Sequence, residues 1–158
     1  MRLGIVILIV VFAGLTGSAH AQSPARPDLA GHWILDAQLV PIDGRVPICA
    51  AECTLSQAAG SLTVSEGMHA RTYQMDGVPA LSIASTTEIT AKISTIAAWE
   101  AATLVIAETI DSAQLNGGKP FTTTARMSLS EGRLVIEGVR STNAGAADKF
   151  RVIYRKGS

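Results

Sequence analysis

The chain is poor in the residues that most enzyme chemistry needs. Its 158 residues include three His and two Cys, and only His32 and His69 lie beyond the apolar N-terminal stretch. Ser/His/Asp catalysis needs a His beside a nucleophile and an orienting carboxylate. His32 falls on the outward side of an alternating run, in phase with Asp36, and His69 follows Gly67 and Met68 at a turn. No Gly-rich loop leads from a strand into a helix, so the phosphate-cradling motifs are missing. The carboxylates are dispersed, with no close pair on one strand face of the kind glycoside hydrolysis uses. Met68, His69, Cys49 and Cys53 follow no metal-ligand spacing. The sequence therefore assigns no catalytic residue, no metal and no cofactor, and the expectation is a non-enzymatic protein.

Excess charge of either sign is missing too. Thirteen Lys and Arg balance thirteen Asp and Glu, and the basic residues are scattered singly. Nucleic-acid binding lacks its electrostatic basis, and attachment to a membrane surface lacks a basic amphipathic face.

The one long apolar run is at the start. Arg2, the stretch Leu3–Phe12 and the small-x-small pattern Ala19-His20-Ala21 read as a signal peptide over residues 1–21. The competing reading is an uncleaved anchor, but the run is short for a bilayer and "TGSAHA" breaks it. Cleavage leaves 137 residues from Gln22 with a net charge of −1, since Arg2 is lost. That length suits one domain with a real core. The expected location is secreted, in a periplasm, with no membrane anchor after cleavage.

In an oxidising compartment, an even cysteine count favours a disulfide. Cys49 and Cys53 would close a five-residue ring, worth about 2 kcal/mol by loop-closure entropy. Redox catalysis usually uses a two-residue spacing next to a helix N-terminus. Here the spacing is three residues, and a strand follows.

What the sequence has in abundance is period-two alternation. Residues 22–28, with Pro24 and Pro27, read as a flexible tail, and residues 29–156 as the folded domain. In "GHWILDAQL", Gly31, Trp33, Leu35, Ala37 and Leu39 share one side. In "FTTTARMSLS", Phe121, Thr123, Ala125, Met127 and Leu129 do the same, and in "KFRVIYRK" Phe150, Val152 and Tyr154. Such runs are half-buried strands. Further strands are expected at Cys53–Ala58, Ser61–Ser65, Arg71–Met75, Ala80–Ala84, Thr87–Ser94, Thr103–Thr109 and Arg133–Ser141. "AAGS", "MDGVP", "LNGGKP" and "SEGR" supply Gly and Pro where reversals need them. "TIAAWEAAT" reads as a hairpin, its alanines leaving a helical turn open as the alternative. The pattern predicts an all-β fold: an antiparallel up-and-down meander closing into a barrel of about 8–10 strands.

With those residues in hand, the chain resembles small secreted bacterial lipocalin-like (calycin-type) barrel domains. The resemblance rests on "LAGHWILD", "TYQMDGVPA", "AAWEAATLVI", "RMSLSEGRLVIE" and "VIYRK". It implies that Trp33, behind Gly31, seals one end of the barrel against an Arg of the last strand, Arg151 or Arg155, by cation–π stacking. Departures are visible. Trp99-Glu100-Ala101-Ala102 lacks the Gly of the related turn, and the second lipocalin motif and the helix before the last strand are missing.

The predicted inward set is Leu35, Tyr73, Met75, Ile89, Leu104, Ile106, Phe121, Met127 and Phe150. Met and aromatic side chains there suit a small apolar or amphiphilic ligand; equally, they could simply fill the barrel. Two other roles stay open: a protein-binding module, such as an inhibitor that places "QSPARPDLAG" in a secreted protease, and an envelope structural protein with no cavity.

Overall fold

Alternation becomes strand because each apolar side can be buried only if the backbone is extended and paired. A computed structural model of the chain describes residues 25–41, 48–141 and 147–158. The expected signal peptide and Gln22–Pro24 lie outside the described residues. Ten strands follow one another: β1 (Gly31–Val40), β2 (Glu52–Gln57), β3 (Ser61–Glu66), β4 (His69–Gln74), β5 (Ala80–Ser85), β6 (Thr90–Glu100), β7 (Thr103–Asp111), β8 (Phe121–Ser130), β9 (Arg133–Ser141) and β10 (Ala147–Lys156). A 3₁₀ turn at Asn116–Gly118 is the one helical element among the described residues.

All ten strands form a single antiparallel sheet in the order β4-β3-β2-β1-β10-β9-β8-β7-β6-β5. The meander is up-and-down, and the first strand pairs with the last. The sheet curls until β4 lies beside β6 without a ladder between them. One backbone bond, Gly77 N–H to Ala97 O at 2.9 Å, ties the two sides at one end of this seam. The result is a nearly closed barrel whose edge strands are β4 and β5.

Most reversals are tight. Glu100 pairs with Thr103, so Ala101-Ala102 is a two-residue hairpin loop, as "TIAAWEAAT" predicts. Ser130 pairs with Arg133 around Glu131 and Gly132, both at positive φ, which is the preferred two-residue hairpin geometry. The strand expected at Thr87–Ser94 instead begins at Thr90. Thr86 Oγ1 accepts the Ile89 N–H at 3.0 Å and holds residues 86–89 as a turn, so Ile89 lies in a loop.

Inward residues come from β2, β3, β4 and β6 to β10: Leu55, Leu62, Tyr73, Ala97, Leu104, Met127, Ile136, Val152 and Tyr154 are all core. At one end the chain before β1 folds across the opening. Leu29 is fully buried there, and the Trp33 indole N–H donates to its carbonyl at 2.9 Å. Gln57 clamps this turn, accepting from Leu29 N–H at 2.9 Å and donating to the Pro27 carbonyl at 3.3 Å. Arg26 lies over the Trp99 ring at 6.0 Å. Arg26 and Pro27 of the expected tail are thus in contact with the barrel. Deeper in, Ile48 and Cys49 are buried, and the Tyr154 hydroxyl donates to the Cys49 carbonyl at 2.5 Å. The Cys49–Cys53 disulfide, with a Cα–Cα distance of 5.6 Å, fixes that segment at the start of β2.

Trp33 is buried, but the cation beside it is Lys156, 5.8 Å from the ring centroid. The expectation of Arg151 or Arg155 fails on register: Trp33 pairs with Lys156, and Arg155 pairs with Ile34. Arg151 instead lies on the outer surface, 3.6 Å from Glu137. Gly31 is favoured here by its φ of +147°; a Cβ would sit 3.0 Å from Lys156 Cε, which a flexible side chain can yield.

Candidate ligand-binding slot

The barrel interior is largely occupied by its own side chains. Of the nine residues expected to line a cavity, Leu104, Ile106, Met127 and Phe150 are at most 2% exposed, and Tyr73 and Met75 are also buried. Leu35 packs on this core from its margin, and Phe121 and Ile89 are half-buried. Between Ile48, Tyr73, Ile106, Glu108, Thr123 and Ala125, a space of about 10 Å³ remains, roughly what one water needs. Leu104, Ile106, Met127 and Phe150 belong to this packed interior.

A larger space opens where the sheet fails to close. β4 and β5 diverge, and the slot between them encloses about 350 Å³. Its walls come from residues 71–74 of β4, Ala80, Leu81, Ser82 and Ala84 of β5, and Ile93 and Thr95 of β6, with Glu108 of β7 behind them. Of the nine expected residues, Tyr73 alone borders it.

The back of the slot is polar. Arg71 donates to Glu108 Oε2 at 2.9 Å and to the Tyr73 hydroxyl at 3.2 Å. The two charged partners differ in setting, with side-chain exposures of 55% for Arg71 and 14% for Glu108. Burial raises the Tyr73 pKa, and the facing Arg71 charge opposes this without cancelling it. Tyr73 therefore keeps its proton at neutral pH. Glu66, at the end of β3, accepts from Ala50 N–H at 2.6 Å and so ties the buried segment at Ile48 and Cys49 to β3.

Apolar surface flanks this polar floor. Tyr73 and Ile93 contribute from inside. On β5, Leu81 is 80% exposed and Ile83 70%. All six β5 residues are exposed, because β5 pairs with β6 only and projects past the core.

Sequence reasoning missed Arg71, Glu108, Ser82 and Thr95. The signal was present for two of them. Arg71 shares its phase with Tyr73, and Glu108 shares its phase with Leu104 and Ile106, so each strand carries one charge on its buried side. Two strands with an inward charge of opposite sign indicate a paired polar floor.

The remaining candidates for chemistry stay apart. His32 lies 2.8 Å from Glu52 on the outer surface, and His69 is exposed beside a hairpin turn. Cys49 and Cys53 are bonded to each other. Among the described residues, no three His, Cys, Asp or Glu side chains come together as metal ligands. Neither the models of known protein families nor the curated proteins compared with this chain match it.

Proposed function

We propose that this chain is a secreted, lipocalin-like, non-enzymatic barrel that binds a small amphiphilic molecule in the slot between β4 and β5. The observation that carries the reading is the slot itself. Its volume of about 350 Å³ falls within the range of small-molecule sites, and it joins apolar walls to a few polar groups. The ligand's apolar part lies against Tyr73 and Ile93, and its polar part reaches Arg71, Glu108 and Ser82. The Cys49–Cys53 disulfide is compatible with an oxidising location outside the cytoplasm.

The test is native mass spectrometry of protein purified from its host, with a denatured extract as control, alongside titration with an environment-sensitive apolar dye. A co-purifying small molecule and dye binding that Ser82→Trp abolishes in a still-folded protein support the reading. Absence of both, or dye binding indifferent to Ser82→Trp, ends it.

A further inference from the structure

Backbone pairing along the two sides of the slot narrows the ligand class. On β4, Met75 N–H bonds to Gly60 O at 2.8 Å, and Thr63 pairs with Thr72. Antiparallel ladders alternate inward and outward backbone groups. Residues 71, 73 and 75 therefore turn their amides to β3, and Ala70, Thr72 and Gln74 turn theirs to the slot. On β5, Thr86 N–H bonds to Ile89 O at 2.8 Å. By the same alternation, residues 80, 82 and 84 face β6, and Leu81, Ile83 and Ser85 face the slot. Two rows of donors and acceptors, unpaired among the described residues, thus border one gap.

We infer that the slot takes an extended peptide segment, which adds as a strand between β4 and β5. This rests on the slot being the binding site and names the class of molecule bound there. Exposed edges are ordinarily protected by charge, Pro or bulges. β5 reads Ala-Leu-Ser-Ile-Ala-Ser and carries none of these. The edge residues Ala70, Thr72 and Gln74 are uncharged, and Arg71 is already matched by Glu108. The complementary segment is therefore uncharged. Its inward side chains are small and polar, facing Ser82, Thr95 and the Tyr73 hydroxyl, and its outward ones are β-branched, beside Leu81 and Ile83.

A second copy of this chain does not fit. An edge from another sheet brings its next strand about 4.8 Å further on, into the place of β4. The occupant must be a single strand with both of its own edges free, as in recognition by strand addition. The stretch Ala80–Ala84 that lines the slot sets its length at about 13 Å, or roughly five residues.

The probe is acetyl-Ser-Val-Ser-Val-Ser-amide, titrated into the full-length protein, with the same peptide N-methylated at both Val residues as its partner. Strand addition predicts saturable binding and slowed amide exchange at Thr72, Gln74, Leu81 and Ile83. It also predicts at least about fivefold weaker binding of the N-methylated peptide, from the loss of two backbone hydrogen bonds. Ile83→Pro removes one slot-facing N–H and leaves the β5–β6 ladder whole, since Pro is tolerated on edges. It should weaken the parent peptide with an unchanged circular dichroism spectrum. Equal binding of the two peptides, or no binding of either, overturns the inference. If the apolar dye still binds in a Ser82→Trp-sensitive way, the slot stands as a small-molecule site and strand addition alone falls. If the dye also fails, both readings fall.

Discussion

The Arg71–Glu108 pair gives a prediction whose sign depends on burial. Arg71 is 55% exposed and can turn its guanidinium to water if its partner is neutralised, whereas Glu108, at 14%, has no such freedom. Arg71→Met therefore leaves a carboxylate inside the barrel wall without its cation and removes a donor from the Tyr73 hydroxyl. An uncompensated buried charged acceptor costs about 1–3 kcal/mol, with up to about 1 more for the lost neutral bond. Solvent screening at the half-exposed Arg71 trims the total, so about 2 kcal/mol is expected. Glu108→Gln keeps the shape and an acceptor and strands only a cation that water can reach; it should cost under about 1 kcal/mol. The double variant should come within about 1 kcal/mol of wild type, because no unpaired charge remains. Urea unfolding of the four proteins closes the cycle. Equal costs for the two single variants, or a larger cost for Glu108→Gln, would refute the assignment of Glu108 as the buried partner.

Three further outcomes follow from the backbone and the core. Gly138 lies inward on β9, where a Cβ would be 2.0 Å from the Thr124 carbonyl and 2.8 Å from the Phe150 ring. Gly138→Ala should cost about 3 kcal/mol, the upper end for overpacking, and adding Phe150→Leu should restore only part of it; full recovery in urea melts would show that the carbonyl is no obstacle. Ala101 holds φ +55° in its hairpin. Ala101→Gly should stabilise by up to about 1 kcal/mol by relieving the left-handed penalty, and Ala102→Gly should not; a lower melting temperature for Ala101→Gly contradicts this. Burial raises the pKa of both Tyr73 and Tyr154 above the ordinary value of 10.0. The folded state thus holds protons that the unfolded state releases. The tyrosine contribution to stability should be flat below pH 10 and then fall by up to about 1.4 kcal/mol per pH unit for each tyrosine. Tyr154→Phe should make this alkaline slope shallower, and an unchanged slope would remove Tyr154 from the account.

The sheet was legible because alternation is a local property. "FTTTARMSLS" forms the strand its pattern marks, with Thr123, Ala125 and Met127 buried and Arg126 exposed. The reading breaks where a ladder irregularity resets the phase. β1 shifts register between Leu35 and Ala37 and again between Gln38 and Val40. Leu39, in phase with Trp33 by counting, therefore ends 56% exposed. A bulge of this kind depends on how β1 must bend between β2 and β10, which no window of β1 itself contains.

The site was less legible than the fold, for a related reason. In the sequence, apolar residue types mark a cavity wall, yet inside a barrel the same types are what fills it. The space lies instead where β5 leaves the wall, and that departure is a fact about closure. "ALSIA" alternates as well as any strand in the chain, but its Leu81 and Ile83 stand on the outer side of an edge that no described strand pairs with. In a sheet that closed fully, the same side chains would be covered by a neighbour on β4. An edge so apolar and so unguarded departs from the protection that exposed strands ordinarily carry, and strand addition, as proposed above, would cover it.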